Sequence, residues 1–241
     1  MTRPPEYLEP ATDPNPPAPD GGGGGAVQLK IWLQEISPMV WRRLLVPGTC
    51  TLRELHGVIQ VAMGWEGIHL FRFRLRAARH GSRELSASSP DVTLAALRLR
   101  RGARFTYEYD LNVPWRHELR VEDYLAAEPG STHPVCTGGG GGGGACPPED
   151  CGGPEGYFAG LDEARSLDAV GDLDTMAKIL REVVLERRPE VLDDDETRWR
   201  LEEAVARSRA RERARGRPFS RRSVNARLRD GEHRELMHQQ C

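Results

Sequence analysis

Val27, Leu29, Ile31 and Leu33 alternate with Gln28, Lys30, Trp32 and Gln34. A period of two is the pattern of a strand with one buried face. Ser37-Pro38 breaks the run. Val40 to Val46 then predicts a second strand, ended by Pro47-Gly48, and the two make a hairpin. Thr51-Leu52-Arg53-Glu54 fits a capping box, in which the Thr hydroxyl caps a first-turn amide and the Glu reaches back. Leu52, Leu55, Ile59 and Ala62 recur at helical spacing and Gly64 supplies a stop. That predicts a helix over 52–63 laying one apolar stripe on a sheet.

Further on, His69, Phe71, Phe73 and Leu75 predict a third strand, followed by a polar loop over 77–92 and one helical turn at Leu94 to Leu97. Phe105, Tyr107 and Tyr109, then Trp115, His117, Leu119 and Val121, predict two more strands joined by a loop containing Asn112 and Pro114. Residues 126–156 show no periodicity. An amphipathic helix or helix pair is expected over 161–187 and an exposed, Arg-rich helix over 197–215, ended by Gly216-Arg217-Pro218. Strands with one early helix and later helices do not alternate as βαβ units. The fold class predicted is α+β: a largely antiparallel sheet with one packed helix, plus a helical C-terminal extension.

Composition changes this picture at the ends. Residues 1–25 carry seven prolines and then Gly21 to Gly25, the makings of a disordered leader. The division expected is a leader at 1–25, one α+β domain at 26–160 and a helical, Arg-rich extension at 161–241. No apolar run approaches the ~18 residues of a membrane helix, and no secretory signal is expected from Met1-Thr2-Arg3-Pro4-Pro5. A cytoplasmic protein with no membrane partner is the expectation.

The net charge of −2 hides an asymmetry. Residues 198–229 hold twelve arginines against three acids. Arginine forks bind phosphate, so nucleic acid is a candidate partner, through Arg207, Arg209, Arg211, Arg213, Arg221 and Arg222. The alternative is a solvated helix face, partly neutralised by Asp193 to Glu196. Cysteine is odd in number (five), which argues against a disulfide framework. Cys136, Cys146 and Cys151 lie close in sequence. With His117, or second His69, they would supply the four thiolate and imidazole ligands of a zinc ion; otherwise they are reduced structural cysteines. Gly138 to Gly144 is no phosphate loop, because Gly-Lys-Ser/Thr is missing.

A second constellation is a pocket of His69, Asp110, Trp115, Glu149 and Asp150, with His117 nearby, suited to acid–base work or a hard metal. Its plain alternative is loop residues that cap turns, with Trp41, Trp65 and Trp115 as packing.

Several of these residues recur as ordered motifs: Trp41-Arg42-Arg43, Leu55-His56 with Ile59-Gln60, and Ala62-Met63-Gly64-Trp65 before His69-Leu70. Tyr107-Glu108-Tyr109-Asp110, the Trp115/His117 pair and Cys146-Pro-Pro-Glu-Asp-Cys-Gly-Gly complete the series. Together, over about residues 26–160, they resemble the plasmid pRiA4b ORF-3-like family. The resemblance implies an α+β domain, an association with plasmids and mobile elements, and no established activity. This chain departs from the family pattern at Phe71, at Leu111-Asn112-Val113 and in a lengthened loop between Cys136 and Cys146.

The leading expectation is a non-catalytic accessory or binding module of mobile-element origin, with a Cys/His metal site as a candidate feature. A nucleic-acid-binding protein acting through the basic tail, and a metal-dependent enzyme using the His/Asp/Cys pocket, are the alternatives.

Overall fold

The computed structural model describes residues 25–82, 87–126, 133–141 and 145–238. The expected leader, save Gly25, and the last three glycines of Gly138 to Gly144 lie outside the described residues. Seven strands form one sheet: β1 (Gly25–Leu33), β2 (Trp41–Pro47), β3 (Phe71–Leu75), β4 (Ala78–Gly81), β5 (Arg104–Tyr109), β6 (Trp115–Ala126) and β7 (Val135–Gly140). Their order is β4-β3-β5-β6-β1-β2-β7. Every neighbouring pair is antiparallel. The strand alternation settles the register. Val27 pairs with Val46 and Leu29 with Leu44, so the buried side chains of successive strands share one face.

Helix α1 (Leu52–Met63) lies on that face. Its capping box forms as expected: the Thr51 hydroxyl accepts from the Glu54 amide at 3.1 Å and the Glu54 carboxylate accepts from the Thr51 amide at 2.8 Å. Gly64 closes the helix with φ 84°, a left-handed conformation that glycine takes without steric cost. The helix departs from the expected single stripe, because every residue from Leu55 to Met63 is buried. The sheet covers one side, and α5 (Arg221–Arg229) and α6 (Glu232–Leu236) cover the other. Gly57 makes this approach feasible. A Cβ there would sit 2.0 Å from the His233 carbonyl oxygen.

The C-terminal extension therefore returns to the sheet domain, and Val224, Leu228 and Leu236 join its core. Asn225 on α5 covers the free edge of β7, accepting from the Cys136 amide at 2.7 Å and donating to its carbonyl at 3.0 Å. Three further helices, α2 (Gly153–Ser166), α3 (Ala169–Leu180) and α4 (Asp195–Arg215), pack on one another. Asp172 of α3 is buried between Arg207 and Arg211 of α4. Those guanidiniums hold its carboxyl below the usual range, Arg207 contributing most. A two-stranded ribbon of β8 (Ala145–Cys146) and β9 (Arg217–Pro218) ties the loop before α2 to the chain after α4. No described helix is long and apolar enough to cross a membrane.

Candidate functional site

Three segments meet beyond the C-terminal end of α1: the turn 64–68, the facing ends of β5 and β6, and the Pro-Pro-Glu-Asp loop before α2. The turn presents three successive backbone amides on one side, a nest suited to an anion. Glu149 fills it. Its carboxylate accepts from the amides of Glu66 at 2.7 Å, Gly67 at 3.1 Å and Ile68 at 3.3 Å, and from the Tyr109 hydroxyl. The Tyr109 oxygen in turn accepts from the His69 amide at 3.2 Å. Burial, and then the bond to Glu149, push the Tyr109 phenol well above its ordinary range, so it stays a donor.

Two indoles fix the same loop through its backbone. Trp65 Nε1 donates to the Pro147 carbonyl at 2.9 Å and Trp115 Nε1 to the Glu149 carbonyl at 3.1 Å. Both indoles are almost fully buried. The Trp65 ring stacks on Tyr109 with centroids 5.3 Å apart and meets the edge of His117 at 5.4 Å. The whole assembly acts as a clamp. Aromatic area excludes water, and each polar atom of the loop that points inward has a donor.

The structure thus brings Trp115 and Glu149 of the expected pocket together, with Tyr109 and Trp65 beside them. His69 and Asp150 pair at the rim, Nε2 to Oδ1 at 2.7 Å, where Asp150 is exposed. Asp110 is elsewhere in role: it sits at φ 57° and its carboxylate accepts from the Asn112 amide at 3.2 Å, closing the β5–β6 turn.

The four expected zinc ligands are not gathered. Among the described residues no group of three or more His, Cys, Asp or Glu side chains is placed to hold a metal ion. Each thiol has its own neighbour. Cys136 Sγ donates to the Gly138 carbonyl at 3.3 Å, Cys146 Sγ lies 3.8 Å from Met63 Sδ, and Cys151 Sγ donates to the Pro148 carbonyl at 3.2 Å. Burial raises the Cys136 thiol, pushes Cys146 up to about 12 and Cys151 up to about 11. With each thiol turned to a separate neighbour and no such group gathered among the described residues, these side chains do not make up a closed four-ligand site. His117 is sealed in the core, its Nδ1–H donating to the Trp115 carbonyl at 3.1 Å and its Nε2 without a partner.

Sequence reasoning passed over two features. Buried Arg42 caps the end of α1, donating to the Ala62 carbonyl at 2.9 Å and to the carbonyls of Trp41 and Gly140 at 2.8 and 3.2 Å. Its guanidinium lies 4.1 Å from the Phe219 ring centroid, on the wall of a cavity of about 590 Å³ shared with Val224, Arg227 and Leu236. The core also holds a polar trio. The Tyr107 hydroxyl accepts from Gln60 Nε2 at 2.8 Å and so donates to His56 Nδ1 at 2.7 Å. Only the Leu55-His56…Ile59-Gln60 spacing pointed there, one helical turn apart.

The clamp residues are those of the ordered motifs, and the comparison with known families decides what they belong to. The model of the plasmid pRiA4b ORF-3-like protein matches residues 25–186, from β1 through α3. The chain belongs to the plasmid pRiA4b ORF-3-like family. A similar chain is the uncharacterized protein y4hQ of Sinorhizobium fredii (strain NBRC 101917 / NGR234). It is 39% identical over 140 residues, 54% of this chain and 69% of that one. Among solved structures, the crystal structure of the protein of unknown function MM3350 from Methanosarcina mazei Go1 is similar with a TM-score of 0.52 and 27% identity. That likeness covers 60% of this chain and 83% of the other. In this member of the pRiA4b ORF-3-like family, the Trp65, Tyr109, Trp115 and Pro-Pro-Glu-Asp motifs lock three loops together.

Proposed function

We propose that this pRiA4b ORF-3-like protein is a non-catalytic binding module. What carries the reading is Glu149. The carboxylate at the centre of the constellation is met by three amides and a phenol, so its charge is dispersed and its orientation fixed within the protein. The remaining candidates are equally engaged. The thiols are held protonated by burial, His117 is enclosed, and His69 and Asp150 bind each other at the rim. A nucleophile or general base needs an activated, accessible atom, and neither the thiols nor His117 offers one.

The tail supports a weaker version of the nucleic-acid reading. Arg207 and Arg211 are committed to Asp172, and Arg221 reaches the Thr137 carbonyl at 3.4 Å. Arg209, Arg213 and Arg222 stay exposed.

Stability measurements separate a clamp from a catalytic carboxylate. Urea unfolding of Glu149→Gln should show a loss of about 1–3 kcal/mol, as a half-buried, multiply bonded charge is replaced. Asp150→Asn should lose under about 1 kcal/mol, because an exposed pair contributes little. Catalytic groups are commonly held at a cost to stability, so neutralising one leaves the fold unchanged or firmer. That outcome for Glu149 would overturn the reading.

A further inference from the structure

We propose that the solvent-facing side of the sheet binds single-stranded nucleic acid, its bases stacking on Trp32 and Trp41 and its phosphates following a row of four cations across β5, β6, β1 and β2. This deepens the binding-module reading by naming a partner class, and it is separable from it: the Glu149 result can hold while this one fails.

The row is set by strand register. Arg104 pairs with Arg120, Arg120 with Lys30, and Lys30 with Arg43. Four like charges in direct cross-strand register repel at neighbour distances of about 5 Å, which destabilises a sheet unless anions lie against them. The protein supplies only two such anions close by. Arg104 pairs with Glu118 at 2.7 Å and Arg43 with Glu122 at 2.6 Å. Lys30 and Arg120, the middle of the row, make no ion pair among the described residues, although Lys30 does help to lower the Glu122 carboxyl.

Trp32 and Trp41 are cross-strand partners in the adjoining row and both face outward. Lys30 Nζ lies 5.9 Å from one ring centroid and 5.2 Å from the other. Arg104 and Arg43 flank the same two rings at 5.9 and 5.5 Å. Aromatic rings set among phosphate-binding cations form the stacking platform that holds single strands with little sequence preference. A duplex keeps its bases stacked internally, out of reach of half-buried indoles on a sheet. An acidic peptide would use the cations but leave the rings idle.

The test is fluorescence anisotropy of a labelled oligo(dT) of about 20 nucleotides against the full chain, between roughly 50 and 200 mM salt. Binding should weaken about 10-fold or more in Trp41→Ala and in the double variant Lys30→Gln/Arg120→Gln. The double variant should also flatten the log–log salt slope by about 1.4, the share of two phosphate contacts on a single strand. Arg165→Gln on α2 should bind as the unaltered chain does, and a duplex of the same length should bind more weakly. Circular dichroism confirms that each variant is folded, and Trp32→Phe, which keeps a stacking ring, should retain most of the affinity. No binding of oligo(dT) at low salt would overturn the proposal. So would equal binding by Lys30→Gln/Arg120→Gln, an equal loss in Arg165→Gln, or tighter binding of the duplex or of poly-glutamate.

Discussion

Acidification from pH 7 to pH 5 should destabilise the folded chain by on the order of 4 kcal/mol, well before the carboxylates titrate. His56 and His117 are fully buried, and desolvation is the main cause that pushes both down to about 3 from an ordinary value near 6.5. Between those limits the unfolded chain takes up protons that the folded chain refuses, so stability falls as pH falls through that window. Each histidine contributes about 2 kcal/mol over this interval. The geometry explains the refusal. His56 accepts from Tyr107 at Nδ1, and its Nε2 has no partner. His117 Nε2, the atom that would be protonated, likewise faces no acceptor. The paired carboxyls of Glu122, Asp172 and Glu232 are lowered by their arginines and add their loss only below about pH 4.5. Urea unfolding at the two pH values measures the effect, and His117→Gln should remove about 2 kcal/mol of it. Equal stability at pH 7 and 5 would mean that these rings reach water.

Trp65→Ala should cost about 4–5 kcal/mol, at the upper end for a buried aromatic. The indole is 2% exposed and touches Tyr109, Trp115 and His117. Its removal opens a cavity at the centre of the clamp and leaves the Pro147 carbonyl without its donor. Trp65→Phe keeps the stacking but not the hydrogen bond, and about 2 kcal/mol is expected. Denaturant unfolding checks both. A loss below about 1 kcal/mol for the alanine variant would show that the 147–151 loop is held by something else.

The elements that announce themselves in the sequence are those whose side chains alternate between core and water. β1, β2, β3, β5 and β6 are of this kind, and the Thr51–Glu54 box marked the start of α1 directly. β7 was illegible because Val-Cys-Thr-Gly-Gly-Gly carries no alternation. It joins the sheet beside β2, and its glycines answer a tertiary demand. A Cβ on Gly139 would lie 2.6 Å from the Phe219 ring and 2.9 Å from Arg42 Cδ. The helical region had the reverse problem. Pro154 at the first turn starts α2 at Gly153, ahead of the expected 161, and Asp168 caps a separate α3. α5 and α6 follow Pro218, where no further helix was expected, and their apolar residues are too few to signal alone that they cover α1.

For the site, the residue types were legible and their roles were not. Trp115 and Glu149 do meet. Yet whether a carboxylate serves chemistry or an amide nest depends on where residues 66–68 lie, and that is a tertiary fact. The cysteines mislead for a similar reason. Closeness in sequence across a glycine-rich loop says little about convergence, and Cys136 belongs to a sheet edge while Cys151 opens a helix.

The central claim is that the Glu149 carboxylate is engaged within the protein, and a double-mutant cycle between Glu149→Gln and Tyr109→Phe tests it most directly. Four chains, unaltered, two single variants and the double, are unfolded in urea at pH 7. A coupling of about 1.5–3 kcal/mol is expected, the range of a hydrogen bond to a charged group. Additive losses, with coupling below about 0.3–0.5 kcal/mol, would contradict it and return Glu149 to the candidates for chemistry.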